Sequence, residues 1–310
     1  MNLIEIKQKE DVFYLTWIIN NICTNACSYC PPNLHNGTNH NYNWNHAERF
    51  AAFIIEKYSK INLAISGGEP TLSPWFKDLV KMFSDAGHSV GMTTNGARSV
   101  RYFNDIAQYM GYVVLSYHPS SEDSKLIEKA LACSRHATTT VSVMFDSRYF
   151  NQSLEFYNKL IDHESISVQP VKILGWIEDS MLGREYTDEQ LKILETLTQR
   201  YSKISTVPKN LPPALPTFIF DNNTTQRKIE AQTLINDGKT NFIGWECDMG
   251  ISSLVVRPDG SISTANCSTA ETIGNIQEFD NIKWPTTSYI CKQTACICTT
   301  DVYLSKKKSL

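Results

Sequence analysis

The sequence has no apolar run long enough to span a bilayer, which takes about 20 residues. Its first segment, Met1 to Asp11, mixes charges with short apolar stretches and lacks the continuous hydrophobic region of a secretion signal. No membrane association is expected, and a cytoplasmic location follows by default. Charge of one sign is lacking too. The 29 Lys and Arg against 32 Asp and Glu leave a net charge of −3, too little to draw the chain to nucleic acid or an acidic surface. The one cationic run, Lys306-Lys307-Lys308, is expected to be a solvated tail. Repeats and low-complexity tracts are absent. With 42% hydrophobic and 20% charged residues over 310 positions, the composition is that of a globular protein. Its length suits one large domain or a domain of about 200 residues with a smaller appendage.

What the sequence does have is cysteine, nine in all and unevenly placed. A reducing compartment keeps thiols free, so clustered cysteines point to metal binding or catalysis rather than disulfides. Cys23, Cys27 and Cys30 share one short stretch. Cys247, Cys267, Cys291, Cys296 and Cys298 form a second group. Cys133 stands alone and reads as a buried structural residue, with hydrogen-atom donation as a lesser alternative.

Phe13 to Asn20 is β-branched and aromatic and reads as a strand entering the first cysteine loop. An Asn- and His-rich loop follows, then a helix over 46–60, a strand over 62–66, a helix from Pro74 with Ser73 as its N-cap, and a strand over 89–94. The alternation continues with helix 99–109, strand 111–116, helix 123–133, strand 138–145, helix 151–162, strand 165–171, and a helix over 186–201 capped by Thr187. Six strands alternating with helices predict a parallel sheet, either an open barrel or doubly wound. In both, ligands collect at the carboxyl ends of the strands. The unusual residues fall there: the cysteine loop, Gly67-Gly68-Glu69-Pro70, Thr93-Thr94-Asn95-Gly96 and Ser116-Tyr117-His118-Pro119. The proline-rich stretch 207–216 marks a domain boundary. After a helix near 223–237, a hairpin is expected from strands 253–257 and 261–264 about the turn Pro258-Asp259-Gly260.

Three thiolates on so short a loop can reach three corners of a four-iron cluster and leave the fourth iron open, as a catalytic site requires. A structural zinc site would need a fourth ligand, for which His35 is the candidate. The loop CTNACSYC, with Tyr29 before its third cysteine, resembles the signature of the radical S-adenosylmethionine (SAM) superfamily. Gly67-Gly68-Glu69-Pro70, following a strand, is similar to that family's SAM-binding motif. The likeness covers about residues 12–175. It implies a partial (β/α)6 barrel, a catalytic [4Fe-4S] cluster on Cys23, Cys27 and Cys30, and SAM bound to the open iron. By the same resemblance Tyr29, Gly67, Gly68, Glu69 and Pro70 bind the cofactor, with Glu69 balancing the charge of the methionine amino group. Thr94 and Asn95 fall in the ribose and carboxylate region, and Ser116 at a ribose-binding position. Strand alternation puts His118 on the face of Ser116, where contact with SAM or substrate and a plain structural hydrogen bond are equally open. Met144 and Gln169, at later strand ends, are candidates for the adenine that could equally be core or rim.

The second cysteine group resembles the auxiliary-cluster domain of some members of this family, the SPASM domain or its shorter twitch form. Five cysteines are too few for two clusters, so one further [4Fe-4S] cluster is expected. Gly260 precedes Cys267 by more than the family spacing, and the C-x4-C-x-C ending departs from the usual pair. Either Cys296 or Cys298 is then the spare, with structural zinc as the alternative. The chain is accordingly expected to be α/β: residues 1–206 a barrel with its N-terminal strand, 207–244 a linker and helix, and 245–310 a small cysteine-rich α+β, twitch-like domain.

The resemblance implies an enzyme that takes one electron from an external donor such as flavodoxin or ferredoxin and cleaves SAM to a 5′-deoxyadenosyl radical. That radical abstracts a substrate hydrogen atom. The auxiliary cluster would either accept an electron, making the net reaction an oxidation, or bind substrate. A peptide or small molecule ranks first as substrate, although the barrel's first strand starts near residue 12 with no peptide-recognition domain expected before it. A nucleotide, nucleoside or nucleic-acid base comes second, with Trp44, Trp176 and Trp245 as stacking candidates that could equally be core edges. A metal-binding scaffold without SAM chemistry is the non-enzymatic alternative, and the GGEP motif argues against it.

Overall fold

A computed structural model of the chain describes residues 2–8, 12–30, 32–37, 42–121, 124–173, 185–204, 216–222, 224–226, 231–267 and 269–308. Trp176 and nearly all of the expected boundary stretch 207–216 lie outside these. The chain opens with β1 (Leu3–Lys7) and β2 (Phe13–Ile18). It then alternates through α1 (Trp44–Lys57), β3 (Ile61–Ser66), α2 (Phe76–Asp85), β4 (Ser89–Thr94), α3 (Val100–Ala107), β5 (Tyr112–Tyr117), α4 (Leu126–Ser134), β6 (Thr138–Phe145), α5 (Phe150–Leu160), β7 (Ser167–Lys172) and α6 (Asp188–Ile204). The remainder is shorter: β8 (Thr217–Phe220), β9 (Thr225–Gln226), α7 (Ala231–Asn236), β10 (Trp245–Cys247), β11 (Ser253–Val256), β12 (Ser261–Ser263), β13 (Thr272–Asn275), β14 (Tyr289–Ile290), α8 (Thr299–Val302) and β15 (Lys306–Lys308).

Strands β2 to β7 pair in parallel and in chain order. That order decides between the two expected architectures. A doubly wound sheet needs a reversal of strand order, whereas successive right-handed crossovers in one direction put every helix on the same face. The result is the partial barrel. Leu15, Trp17, Leu63, Ile65, Val90, Val113, Leu115, Val141 and Val143 form the helix-facing side and pack with Phe50, Ile54, Phe76, Leu79, Phe83, Phe103 and Ile106 in one core. The alternate positions, among them Ala64, Ser66, Thr93, Val114, Thr140, Met144 and Gln169, keep some exposure and face the concave side. The period-2 pattern therefore puts apolar bulk under the helices and smaller or more polar residues where a ligand would lie.

Local signals account for most element ends. The Asn43 side chain caps α1 at the His46 N–H (3.2 Å) and Ser99 caps α3 at the Tyr102 N–H (3.3 Å). Thr187 and Gln190 cap α6 reciprocally. Ser73 does not cap α2 as expected. Pro70 and the Glu69 side chain start an earlier 3-10 turn, Pro70–Leu72, which Ser73 closes, so α2 begins only at Phe76.

The last third of the chain is joined to both ends of the first. The predicted hairpin is β11 and β12, but β11 also pairs in parallel with β2, extending the barrel sheet to nine strands across the expected boundary at 245. A second sheet runs β14-β10-β15-β1-β8-β9, so the N-terminal strand sits beside the C-terminal one. The Lys306-Lys307-Lys308 run is therefore no solvated tail. It is β15, held between β1 and β10, with Lys306 buried and Lys307 and Lys308 exposed. Cys133 is fully buried in the helix-side core, where desolvation pushes its thiol up to about 12. No helix among the described residues is long and apolar enough to cross a membrane.

Candidate active site

The end of β2 and the end of β3 are laced together by backbone. Asn20 O accepts from the Gly68 N–H (2.9 Å), Ile22 O accepts from the Glu69 N–H (2.7 Å), and the buried Asn20 carboxamide donates to Glu69 O (2.9 Å). This approach explains both glycines. Gly67 has a φ of 154°, and a Cβ on it would lie 2.6 Å from Asn20 O; one on Gly68 would lie 2.3 Å from Ile22 O. The cysteine loop thus rests directly on the GGEP turn.

On that loop Cys23, Cys27 and Cys30 are free thiols. Burial raises the pKa of all three, Cys30 to about 11, and the thiols are close enough that Cys23 and Cys27 each add to the rise at Cys30. Among the described residues no three His, Cys, Asp or Glu side chains converge as on a single metal ion. Thiolates on different irons of a cluster stand farther apart than ligands of one ion. The His35 Nε2 meets the Cys30 carbonyl at 3.3 Å.

Glu69 is completely buried. Its Oε1 accepts from Thr71 N (3.1 Å), Thr71 Oγ1 (2.6 Å) and Thr94 Oγ1 (2.7 Å), and its Oε2 from Asn95 N (2.7 Å). Thr94 and Asn95 therefore both hold the carboxylate. Desolvation still raises the Glu69 pKa, with these four bonds opposing it, and no cationic side chain pairs with it among the described residues. The Asn95 amide donates to Cys23 Sγ (3.4 Å) and Thr24 Oγ1 (3.0 Å), while its buried Oδ1 has no partner. A buried acceptor without a donor, beside a buried carboxylate without a cation, fits a ligand that carries an ammonium and other donors.

Tyr29 and His118 form the other wall. Tyr29 Oη lies 2.6 Å from His118 Nδ1, which is 3.4 Å from Cys27 Sγ. Burial pushes His118 down to about 4, so the ring is neutral at pH 7, and raises the Tyr29 phenol well above its usual range. Nδ1 thus faces both the Tyr29 hydroxyl and the Cys27 sulfur. Ser116 is buried on the concave face, opposite Ser142 of β6, and Ser142 Oγ donates to Gln169 Oε1 (3.1 Å). Met144 shares that face. Pro70 is buried at the start of its 3-10 turn.

Several participants carried no sequence signal. Arg148 reaches back from the end of β6 to Ser28 Oγ (2.7 Å) and to the buried Asp146 (2.5 Å), tying the cysteine loop to a distant strand end. Buried Lys129 donates to Gly96 O (2.6 Å) beneath the Thr-Asn-Gly turn. Such long-range contacts have no spacing to read. Trp44 and Trp245, the stacking candidates, are packing residues: Trp44 lies 5.9 Å from Trp75 and Trp245 lies 5.2 Å from Phe242.

The second thiol group surrounds a narrow cavity lined by Cys247, Cys267, Cys291, Cys296, Met249 and Lys306, among others. Cys298 is not on it. Its sulfur accepts from Asn266 Nδ2 (3.2 Å) at the N-terminus of α8, and burial pushes it up to about 11. The Cys296 thiol is raised further by burial, with Lys306 acting in the opposite direction.

An in-order parallel barrel with a three-thiol loop on a glycine turn at its carboxyl rim defines an iron–sulfur class of α/β enzyme. The model of the radical SAM superfamily matches residues 17–197, more than half of the chain. The chain belongs to that superfamily, is an enzyme, and its chemistry is radical chemistry on SAM. No curated protein matches it. Among solved structures it is similar to native anSMEcpe with bound AdoMet and the Cp18Cys peptide, with a TM-score of 0.53 and 15% identity over 88% of this chain and 82% of that one. It is also similar to Streptococcus suis SuiB bound to S-adenosylmethionine, with a TM-score of 0.54 and 14% identity over 87% and 66%. SuiB bound to the precursor peptide SuiA gives 0.53 and 12% over 88% and 65%. At these identities the likeness is one of fold.

Proposed function

We propose that the enzyme holds a [4Fe-4S] cluster on Cys23, Cys27 and Cys30 and oxidatively modifies a peptide. The observation that carries the SAM site is the Asn95 carboxamide, which touches Cys23 while its backbone N–H fixes the buried Glu69 carboxylate. The three thiols suit iron–sulfur ligation. When bound, a reduced cluster of this kind supplies the electron that cleaves SAM to methionine and a 5′-deoxyadenosyl radical, which takes a substrate hydrogen atom. Glu69 receives the methionine ammonium, and Asn95 Oδ1 accepts a hydrogen bond from the same ligand. Tyr29 and neutral His118 close one wall against water. Ser116, Met144 and Gln169 line the concave face that receives ribose, adenine and substrate.

The C-terminal region, about 245–310, is read as a twitch-like domain with a second [4Fe-4S] cluster on Cys247, Cys267, Cys291 and Cys296. Four thiols around one cavity support this, and a fully ligated cluster suits electron acceptance better than substrate binding. The peptide reading is supported by two relatives of the same fold solved with peptides, anSMEcpe and SuiB. Trp44 and Trp245 pack against Trp75 and Phe242, which weighs against two of the three stacking candidates for a nucleotide. Flavodoxin or ferredoxin is the expected electron donor, and nine free thiols accord with a cytoplasmic setting.

Anaerobic reconstitution with iron and sulfide tests this. About eight irons in the wild type, about four in a Cys23/Cys27/Cys30→Ala variant, and 5′-deoxyadenosine from the wild type alone are expected. Four irons in the wild type and none in the variant would remove the second cluster. No SAM cleavage by fully loaded enzyme would remove the SAM site. Mass spectrometry of a panel of peptides and nucleosides, each incubated with enzyme, SAM and dithionite, should show loss of hydrogen from a peptide; unchanged peptides and a changed nucleoside would reverse the substrate reading.

A further inference from the structure

Lys306 belongs to no motif, yet it opens β15 between β1 and β10, paired with Ile6 on one side and Cys247 on the other. It is 4% exposed although it begins a run of three lysines. Strand β15 places it directly across from Cys247 of β10, so the two side chains share one face of the pair. Its ammonium donates to the carbonyls of Asp301 and Leu304 and stands 5.4 Å from the Phe242 ring. It lines the same cavity as Cys247, Cys267, Cys291 and Cys296. No carboxylate forms an ion pair with it among the described residues. The buried Asp301 carboxylate lines the same cavity and acts on Lys306 electrostatically without an ion-pair contact, so a cluster there would meet one fixed cation and one fixed anion. The four thiols that line the cavity with Lys306 would, as thiolates, bring more negative charge than the one carboxylate.

Resting on the reading of these thiols as a cluster site, we propose that Lys306 is a positioning residue for that site: it neutralises part of the negative charge of the C-terminal cluster and raises its reduction potential. A four-iron cluster on four thiolates is negative in both redox states and more so when reduced, so a fixed cation beside it favours the reduced form. The backbone carbonyls hold the ammonium in place, and the strand pairing fixes its distance from Cys247. Lys307, next along the strand, is exposed and provides a control of equal charge.

The test uses the full chain carrying Cys23/Cys27/Cys30→Ala, so that only the C-terminal cluster is loaded. Iron content is counted, and the cluster is titrated with dithionite while its reduced signal is followed by electron paramagnetic resonance. Lys306→Met should shift the potential negative, lowering the reduced-to-oxidised ratio at fixed solution potential by about tenfold, or about 59 mV for one electron. Lys306→Arg and Lys307→Met should stay close to the parent. An unchanged potential in a Lys306→Met protein that keeps its iron overturns the proposal and leaves the lysine a purely structural role. If Lys306→Met holds no iron, Lys306→Gln is titrated in its place. If neither neutral variant binds iron, retention by Lys306→Arg supports the charge requirement, and loss in all three overturns it. A parent that binds no iron at this site refutes the cluster reading itself, and the proposal falls with it.

Discussion

Replacing Glu69 with alanine removes a fully buried carboxylate that accepts four hydrogen bonds. The hydroxyls of Thr71 and Thr94 can turn to other acceptors, but the backbone N–H groups of Thr71 and Asn95 cannot. Each stranded buried donor costs ~1–3 kcal/mol, so the loss should be ~2–6 kcal/mol against a typical domain stability of ~5–15 kcal/mol. Glu69→Gln separates shape from charge. Its oxygen can keep the three donors at Oε1, while its amide meets the Asn95 N–H donor to donor, a loss of ~1–3 kcal/mol. The charge acts in the opposite sense. Burial raises the folded-state pKa of Glu69, so its contribution to stability is present below the unfolded pKa of about 4.3 and is lost as pH rises through the folded value. The stability of the SAM-free wild type relative to Glu69→Gln should therefore fall as pH rises above about 4, which parallel melting curves measure. For SAM, losing the partner of a buried charge costs ~2–5 kcal/mol, or roughly 30-fold to several thousand-fold in Kd. Calorimetric titration of the reconstituted variants reads this directly. Wild-type SAM affinity in both variants, or an alanine variant as stable as the wild type, would refute the role assigned to this carboxylate.

Gly68→Ala should cost about 3 kcal/mol or more, because its Cβ would meet the backbone of Ile22 and Leu34, which cannot swing away. Denaturant unfolding should show the loss, and a variant of wild-type stability would mean that the loop and the GGEP turn are not in close contact. Cys296→Ser should abolish iron at the C-terminal site whereas Cys298→Ser should retain it, measured as iron per chain; the reverse result would exchange their roles. Arg148→Met breaks the link to Ser28 and takes the cation from the buried Asp146 carboxylate; with the guanidinium 42% exposed the loss is discounted for solvent screening and should be about 1–3 kcal/mol. Iron should leave the N-terminal loop a few-fold faster on chelation, and unchanged release would show that this tie does not hold the loop.

The barrel and its rim were legible because their signals are local. Alternation of period 2 between helices of period 3.6 specifies parallel strands, and the cysteine loop, the GGEP turn and the Thr-Asn-Gly turn each lie a few residues past an apolar strand. A thiol spacing and a glycine pair are properties of neighbouring residues, so they survive without a structure. The division into barrel and appendage was read as a break in composition, and that break says nothing of pairing. Only the tertiary structure put β11 beside β2 and β15 between β1 and β10, because hydrogen-bonded edges find partners by shape and register across most of the chain length. The same holds for burial. Lys306-Lys307-Lys308 is three identical residues in sequence, and the strand pairing alone turned one inward against Cys247 and left two in solvent. It also put Cys296 on the cavity and turned Cys298 to Asn266, a choice that two cysteines separated by one residue leave open until the fold gives each its face.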